Sequence, residues 1–246
     1  MSAEDRVARD KARMDEWIRY AAESGESPAI AAATVVVLRD GDDGVETLML
    51  RRNSKIAFGG MWVFPGGRVD EEDHAGGADE IAAARVAAVR EADEEASLTV
   101  AEPELVLFAH WIPPPIAPKR YATWFFAAGV DDHDHTIDDG EIVDSDWMTP
   151  LRCLERHHEG EVELAPPTWV TLHSISEQTD VKGTLDFLAS RPARHHATRM
   201  ARTDAGPIAM WDGDAGYDST DASVPGARHR LEMFAEGYRY DDSGLD

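Results

Sequence analysis

Apolar and polar positions follow two rhythms along this chain of 246 residues, and the changes between them mark its elements. Across residues 3 to 23, Val7, Met14, Trp17, Ile18 and Ala21 recur at helical spacing. They predict an amphipathic helix that stops near Ser24-Gly25 and packs on its own domain. Ala32 to Leu38 and Thr47 to Arg51 are rich in β-forming residues instead. The polar stretch Arg39-Asp40-Gly41-Asp42-Asp43-Gly44 between them predicts a hairpin that opens a mixed sheet. Two more strands are expected over Leu105 to Trp111 and Tyr121 to Val130, flanking Pro113-Pro114-Pro115-Ile116-Ala117-Pro118. A loop that stiff suits either a pocket wall or a rigid connector, because proline fixes φ. A short strand ends at Trp147, Leu151 to His158 reads as a helix, and Pro166-Pro167 starts another that runs through Leu172. Further on, Thr198 to Arg202, Ile208 to Trp211 and Arg228 to Phe234 read as strands around a Gly/Asp/Ser-rich stretch from Asp212 to Gly226. In that region His195, His196 and His229 read as surface or hydrogen-bonded residues rather than ligands.

Between the second strand and residue 105 the pattern becomes chemically suggestive. On a 3.6-residue helix, Glu91, Glu94 and Glu95 fall at i, i+3 and i+4, so their carboxylates share one face. Like charges at that spacing repel by ~0.2–0.5 kcal/mol per pair, a cost that a bound cation reverses. Carboxylate oxygens with room for water suit Mg2+ or Mn2+, hard ions that accompany phosphate substrates. The same residues also read as a solvated acidic face. Upstream, Phe64-Pro65-Gly66-Gly67 follows the apolar Met61-Trp62-Val63, and paired glycines let backbone approach a ligand or ion closely.

This turn and helix together resemble the Nudix box, G-x5-E-x7-R-E-U-x-E-E-x-G-U with U aliphatic. Gly67 matches the opening glycine, Arg90 and Glu91 the R-E pair, Ala92 the first U, Glu94 and Glu95 the E-E pair, and Leu98 the last U. Ser97 stands where the pattern closes on glycine, which tests whether the position needs left-handed backbone, and a slightly altered helix end is expected. Gly67 and Arg90 are 23 positions apart where the pattern has 14, so nine residues are inserted, within Glu71 to Glu80. Counting forward from Gly67 puts the first motif glutamate at Asp73, and counting back from Arg90 puts it at Ala82, so that partner stays unassigned. The resemblance runs over roughly residues 30 to 175. It includes His110-Trp111-Ile112-Pro113 and Lys119-Arg120-Tyr121-Ala122-Thr123-Trp124-Phe125-Phe126, which are similar to segments of the coenzyme A diphosphatase branch. Ile112-Pro113 lacks that branch's threonine and Ala122 its aspartate.

The resemblance implies an α/β protein: a Nudix-type α/β/α sandwich with a mixed β-sheet over residues 26–190, an N-terminal helix over 1–25 and a β-rich C-terminal extension over 191–246. It implies metal-dependent hydrolysis of a diphosphate linkage in a nucleotide-containing metabolite, coenzyme A or acyl-coenzyme A first, with ADP-ribose, dinucleotides and damaged nucleotides as alternatives. A nonhydrolytic metabolite sensor is the alternative of another class. Glu91, Glu94 and Glu95, with the Gly67 carbonyl, would hold Mg2+ or Mn2+, and Arg90 would orient a glutamate. Glu141 is the candidate further ligand or general base, with a surface acid as the other reading. Arg51-Arg52-Asn53-Ser54-Lys55 could hold substrate phosphates or be a solvated strand end. Arg120, at the border of the proline loop, is the third candidate for substrate binding.

Composition narrows the partners. Lys plus Arg is 24 and Asp plus Glu is 48, a net charge of −24 that disfavours nonspecific binding to nucleic acid or anionic membranes. The expected partner is a small-molecule diphosphate, and a homodimer is left open. A single cysteine, Cys153, reads as a small buried residue in a reducing compartment. The charged N-terminal segment and the lack of an 18-residue apolar run lead to a cytoplasmic expectation. Asp131-Asp132-His133-Asp134-His135 has metal-binding residue types at loop spacing and reads as solvated.

Overall fold

The computed structural model describes residues 3–54, 59–131, 135–137 and 140–245. After helix α1 (Ala3–Ser24), strands β1 (Ala29–Gly41) and β2 (Gly44–Arg52) form an antiparallel hairpin. The six-residue turn expected between them shrinks to Asp42-Asp43. The ladder continues because Arg39 and Glu46 face each other across it, with Arg39 Nε donating to Glu46 Oε2 at 2.7 Å. Short strands β3 (Trp62–Val63) and β4 (Gly66–Arg68) follow, then a 3-10 segment (Glu71–Gly77) and helix α2 (Glu80–Ala96). Next come β5 (Val106–Ile112), β6 (Arg120–Gly129), β7 (Ile142–Met148) and helices α3 (Pro150–His158), α4 (Pro166–Ile175) and α5 (Val181–Ala189). The chain closes with β8 (Arg194–Ala197), β9 (Arg199–Arg202), β10 (Pro207–Met210), β11 (Arg230–Phe234) and β12 (Gly237–Asp241).

The main sheet runs β3-β2-β1-β6-β5-β8, with β4 added on β1 and β7 on β2. It is mixed: β1 and β6 are parallel, as are β5 and β8, and the remaining pairs are antiparallel. Strand alternation splits the core into two layers. Val35 and Val37 of β1, with Phe126 and Ala128 of β6, pack on Ala84, Ala87, Ala88 and Ala92 of α2. These small side chains let the helix lie close to the sheet. On the other face Val36, Leu38, Phe125 and Ala127 pack with Cys153, Trp169 and Leu172 of α3 and α4. Cys153 is thus the buried small residue it was expected to be, and burial pushes its thiol up to about 12.

The terminal segments are tied into this body more closely than a helix and an extension suggest. Strand β8 extends the main sheet, while β9–β12 form a second antiparallel sheet whose Ala209, Trp211, Leu231 and Met233 share the second core layer. Strands β8 and β12 and helix α5 were not anticipated from the sequence; α5 starts where the Asp180 side chain accepts the Gly183 N–H at 2.7 Å. The expected stripe of α1 is partly wrong, since Ile18 is 41% exposed. Charged residues take its place on the buried face: Arg6 Nη1 donates to the His157 carbonyl at 2.9 Å, and Asp10 accepts from the Tyr238 hydroxyl at 3.1 Å. His196 and His229 are buried inside an aromatic cluster with Trp111 and Trp211, and of the two readings, surface or hydrogen-bonded, His229 fits the second through Nδ1 and the Asp212 carbonyl at 2.6 Å. Among the described residues no helix is long and apolar enough to cross a membrane.

Candidate active site

The Gly-Gly turn is pinned to β1 by Thr34, whose hydroxyl donates to the Pro65 carbonyl at 2.6 Å, and by the Val35 N–H, which reaches the same carbonyl at 3.0 Å. Neither Gly66 nor Gly67 has a positive φ, so their requirement is space. A Cβ on Gly66 would lie 2.5 Å from the Ala33 carbonyl oxygen, and one on Gly67 would lie 2.3 Å from Glu91 Oε1. The turn therefore lets the acidic face of α2 press against backbone. Glu95 Oε2 accepts the Gly66 N–H at 2.9 Å, and its Oε1 lies 3.6 Å from Arg52 Nη1. Burial raises the Glu95 carboxyl to about 8 despite those two contacts, with the nearby Glu91 and Glu141 adding to the rise. Glu91 is also raised, by burial first, although Arg90 opposes it.

Arg90 is the hub that organises this face. Its Nε and Nη2 hold the two Asp73 oxygens at 3.2 and 3.0 Å, its Nη1 reaches Glu91 at 2.9 Å and Glu94 at 3.0 Å, and Nη2 also meets the Arg68 carbonyl at 3.0 Å. Asp73 is 3% exposed. Burial alone would raise its carboxyl, but the Arg90 fork and the Asp70 N–H hold it below the ordinary value. The Asp73 bond in turn raises the Arg90 guanidinium. The forward count from Gly67 thus finds the arginine's partner, and the nine inserted residues fall after Asp73, where Gly76 and Gly77 take left-handed backbone. Instead of the altered helix end expected there, Ser97 takes left-handed backbone (φ 54°, ψ 34°), and its N–H caps α2 by donating to the Asp93 carbonyl at 2.8 Å.

These groups open onto a cavity of about 820 Å3 that Gly67, Arg90, Glu91, Glu94 and Glu95 line at one end. Glu141 also lines it, held by Arg52 Nη2 at 2.6 Å, so β2 and the start of β7 bring a second acid toward Glu95. The proline loop forms a wall through Pro113, Pro114 and Pro118. Two of the three candidate arginines stand elsewhere. Arg51 is solvent-facing, 3.9 Å from Asp144, and outside the lining. Arg120 is buried and spent on Glu26 and on the Ser27 and Pro113 carbonyls, at 3.0 and 3.2 Å, bracing the proline loop. The sequence reading missed that Met14 and Trp17 of α1, and Met200, Met233 and Tyr238 of the second sheet, line the same cavity. Their only signal was membership in segments set apart as terminal additions. Lys55, Asp132, His133, Asp134 and Asp139 lie outside the described residues. His135 is bonded to Ser145 and Trp147, at 2.8 and 3.2 Å.

The donors suit a hard divalent cation. Burial raises both Glu91 and Glu95, with Glu94 and Glu141 adding to the first and Glu91 and Glu141 to the second, and the cradle that a Cβ at Gly67 would fill adjoins Glu91 Oε1. Among the described residues no three acidic, histidine or cysteine groups form a ready shell, because Arg90 and Arg52 hold the carboxylates.

A family model described as the NUDIX domain matches residues 28–166, more than half of the chain. The chain is similar to Putative nudix hydrolase 7 of Caenorhabditis elegans, 28% identical over 171 residues, a match covering 54% of this chain and 56% of that relative. It thus spans little over half the length of the curated relative it matches. The fold is shared with a NUDIX hydrolase from Alicyclobacillus acidocaldarius, at a TM-score of 0.58 and 22% identity, over 68% of this chain and 99% of that one. With the box assembled around Arg90 and the domain model matched across it, the chain belongs to the Nudix family.

Proposed function

We propose that the chain hydrolyses a diphosphate linkage in a nucleotide-containing metabolite, with acyl-coenzyme A or coenzyme A as substrate and Mg2+ or Mn2+ as cofactor. The observation that carries this reading is the pairing of a half-buried carboxyl, Glu91, and a buried one, Glu95, with a cavity that apolar side chains of α1 and the second sheet also line. Glu91, Glu94 and Glu95, with the Gly67 carbonyl, would hold the metal, which when bound offsets phosphate charge and makes water easier to deprotonate. The protein's own groups divide the remaining work. Arg90, locked on Asp73, keeps Glu91 and Glu94 oriented. Arg52, between Glu95 and Glu141, binds the diphosphate as those acids release it. Glu141 takes the proton of the water that attacks phosphorus, and the bond from that phosphorus to the bridging oxygen breaks. Arg51 and Arg120 take no part. An acyl chain would lie along Met14, Trp17, Met200 and Met233, which favours acyl-coenzyme A over smaller polar substrates. The lone buried thiol and the metabolite class support a cytoplasmic setting.

The test is kcat/KM for acyl-coenzyme A, coenzyme A, ADP-ribose and diadenosine polyphosphates with Mg2+ or Mn2+. The acyl compound should be preferred, and Met233→Ser should narrow its advantage. A preference for ADP-ribose or a dinucleotide would overturn the substrate, and no cleavage in any arm would favour a sensor.

A further inference from the structure

A second cavity of about 340 Å3 lies beyond the first, between β5 and β8 on one side and α4, the end of α5 and the β12 edge on the other. Three of its lining residues carry buried polar atoms that have no hydrogen-bond partner among the described residues: Trp111 Nε1, His196 Nδ1 and Thr171 Oγ1. Their residues are 3%, 4% and 2% exposed. Leaving a buried polar atom without a partner is costly, and three on residues that line one void are what a ligand or ordered water would satisfy. The interior sets the ligand's chemistry. An indole N–H can only donate and therefore calls for an acceptor, while a hydroxyl and a neutral imidazole can each donate as well. At the solvent side stand Arg191 and Arg194, neither with an acidic partner at ion-pair distance among the described residues. Glu177 and Asp242 also line the void and balance their charge, so attraction comes from directed hydrogen bonds rather than from a net field.

We propose that this second cavity binds a small oxyanion group, phosphate or carboxylate, seated on the Trp111 indole N–H and the Thr171 hydroxyl and closed by the guanidinium groups of Arg191 and Arg194. The site is tied to the larger cavity by one residue, because Trp111 lines both. Its ring is stacked on His196 at 3.8 Å and 8°, so a ligand that holds the indole edge also steadies a wall of the first cavity. The inference stands on these contacts and does not depend on what the first cavity hydrolyses.

The chain has seven tryptophans, so indole N–H resonances of 15N-labelled protein report on the site directly. The Trp111 signal is identified as the one missing in Trp111→Phe. Metal-free protein is titrated with inorganic phosphate and, separately, with acetate. The Trp111 signal should shift saturably with at least one of the two, and the apparent Kd should rise tenfold or more in Arg191→Gln/Arg194→Gln. These two arginines sit toward the surface, so the variant keeps its fold; Arg191→Gln alone is the milder check. The arm that saturates tells phosphate from carboxylate. No shift with either, or an equal shift in the double variant, would overturn the site.

Discussion

Replacing Asp73 tests whether the insertion in the box follows the residue that anchors Arg90. Asp73 is 3% exposed and receives two hydrogen bonds from Arg90, at 3.2 and 3.0 Å, plus the Asp70 N–H at 2.9 Å. Breaking a fully buried ion pair by deleting one partner costs about 3–5 kcal/mol. Arg90 is 28% exposed and keeps Glu91, Glu94 and the Arg68 carbonyl, so the cost of Asp73→Ala falls to about 2 kcal/mol, and its coupling to Arg90 to about 1–2 kcal/mol. The assay is urea unfolding of metal-free wild type, Asp73→Ala, Arg90→Ala and the double variant, read as midpoints at constant slope. Asp70 is the control: its carboxylate is 3.7 Å from Arg90 and 48% exposed, so coupling below about 0.5 kcal/mol is expected there. If the Asp73 and Arg90 effects add within about 0.5 kcal/mol, the pair is not an anchor and the reasoning fails.

Three further outcomes follow from the same geometry. Gly67→Ala drives a Cβ to within 2.3 Å of Glu91 Oε1, so Mn2+ affinity by titration calorimetry should fall tenfold or more while the unfolding midpoint moves little; unchanged affinity would contradict the close approach. Glu95 is raised from 4.5 to about 8, so the folded state keeps a proton that the unfolded chain releases. Its contribution is fully present below 4.5 and is lost as pH rises to 8, at about 1.4 kcal/mol per unit. Metal-free stability should therefore drop between pH 6.5 and 8, metal affinity should climb over the same range, and Glu95→Gln should flatten both curves. Asp214 and Arg230 form a buried fork at 2.7 Å on both arms, and Asp214→Asn should cost about 3–5 kcal/mol, seen as a large drop in Tm; a drop under about 2 °C would show that the pair carries little.

Local chemistry could be read where it depends on few residues. The hairpin, the strands around the proline loop and helices α3 and α4 lie close to where their apolar rhythm and prolines put them. Glu91 and Glu95 meet the Gly-Gly turn because helical spacing and glycine's size act over short distances. Long-range choices were not legible. Asp73 and Ala82 were equivalent by counting, and only the fold brings Asp73 to Arg90 across seventeen positions of chain. Arg120 was a substrate-binding candidate by its place at the border of the proline loop, yet its fork closes on Glu26 and two carbonyls from other segments. Ile18 fits the helical stripe but faces solvent, because Arg6 and Asp10 find buried partners on α3 and β12. Much of the apolar lining of the cavity comes from α1 and the second sheet, which meet only in the folded chain.

The most direct measurement is product analysis of acyl-coenzyme A incubated with Mg2+ or Mn2+ and either wild type or Glu95→Gln. The account predicts metal-dependent cleavage at the diphosphate in wild type, reduced at least a hundredfold in the variant, with the fold retained by circular dichroism. Cleavage at the same rate in Glu95→Gln would contradict the assignment of the acidic face of α2 as the reaction centre.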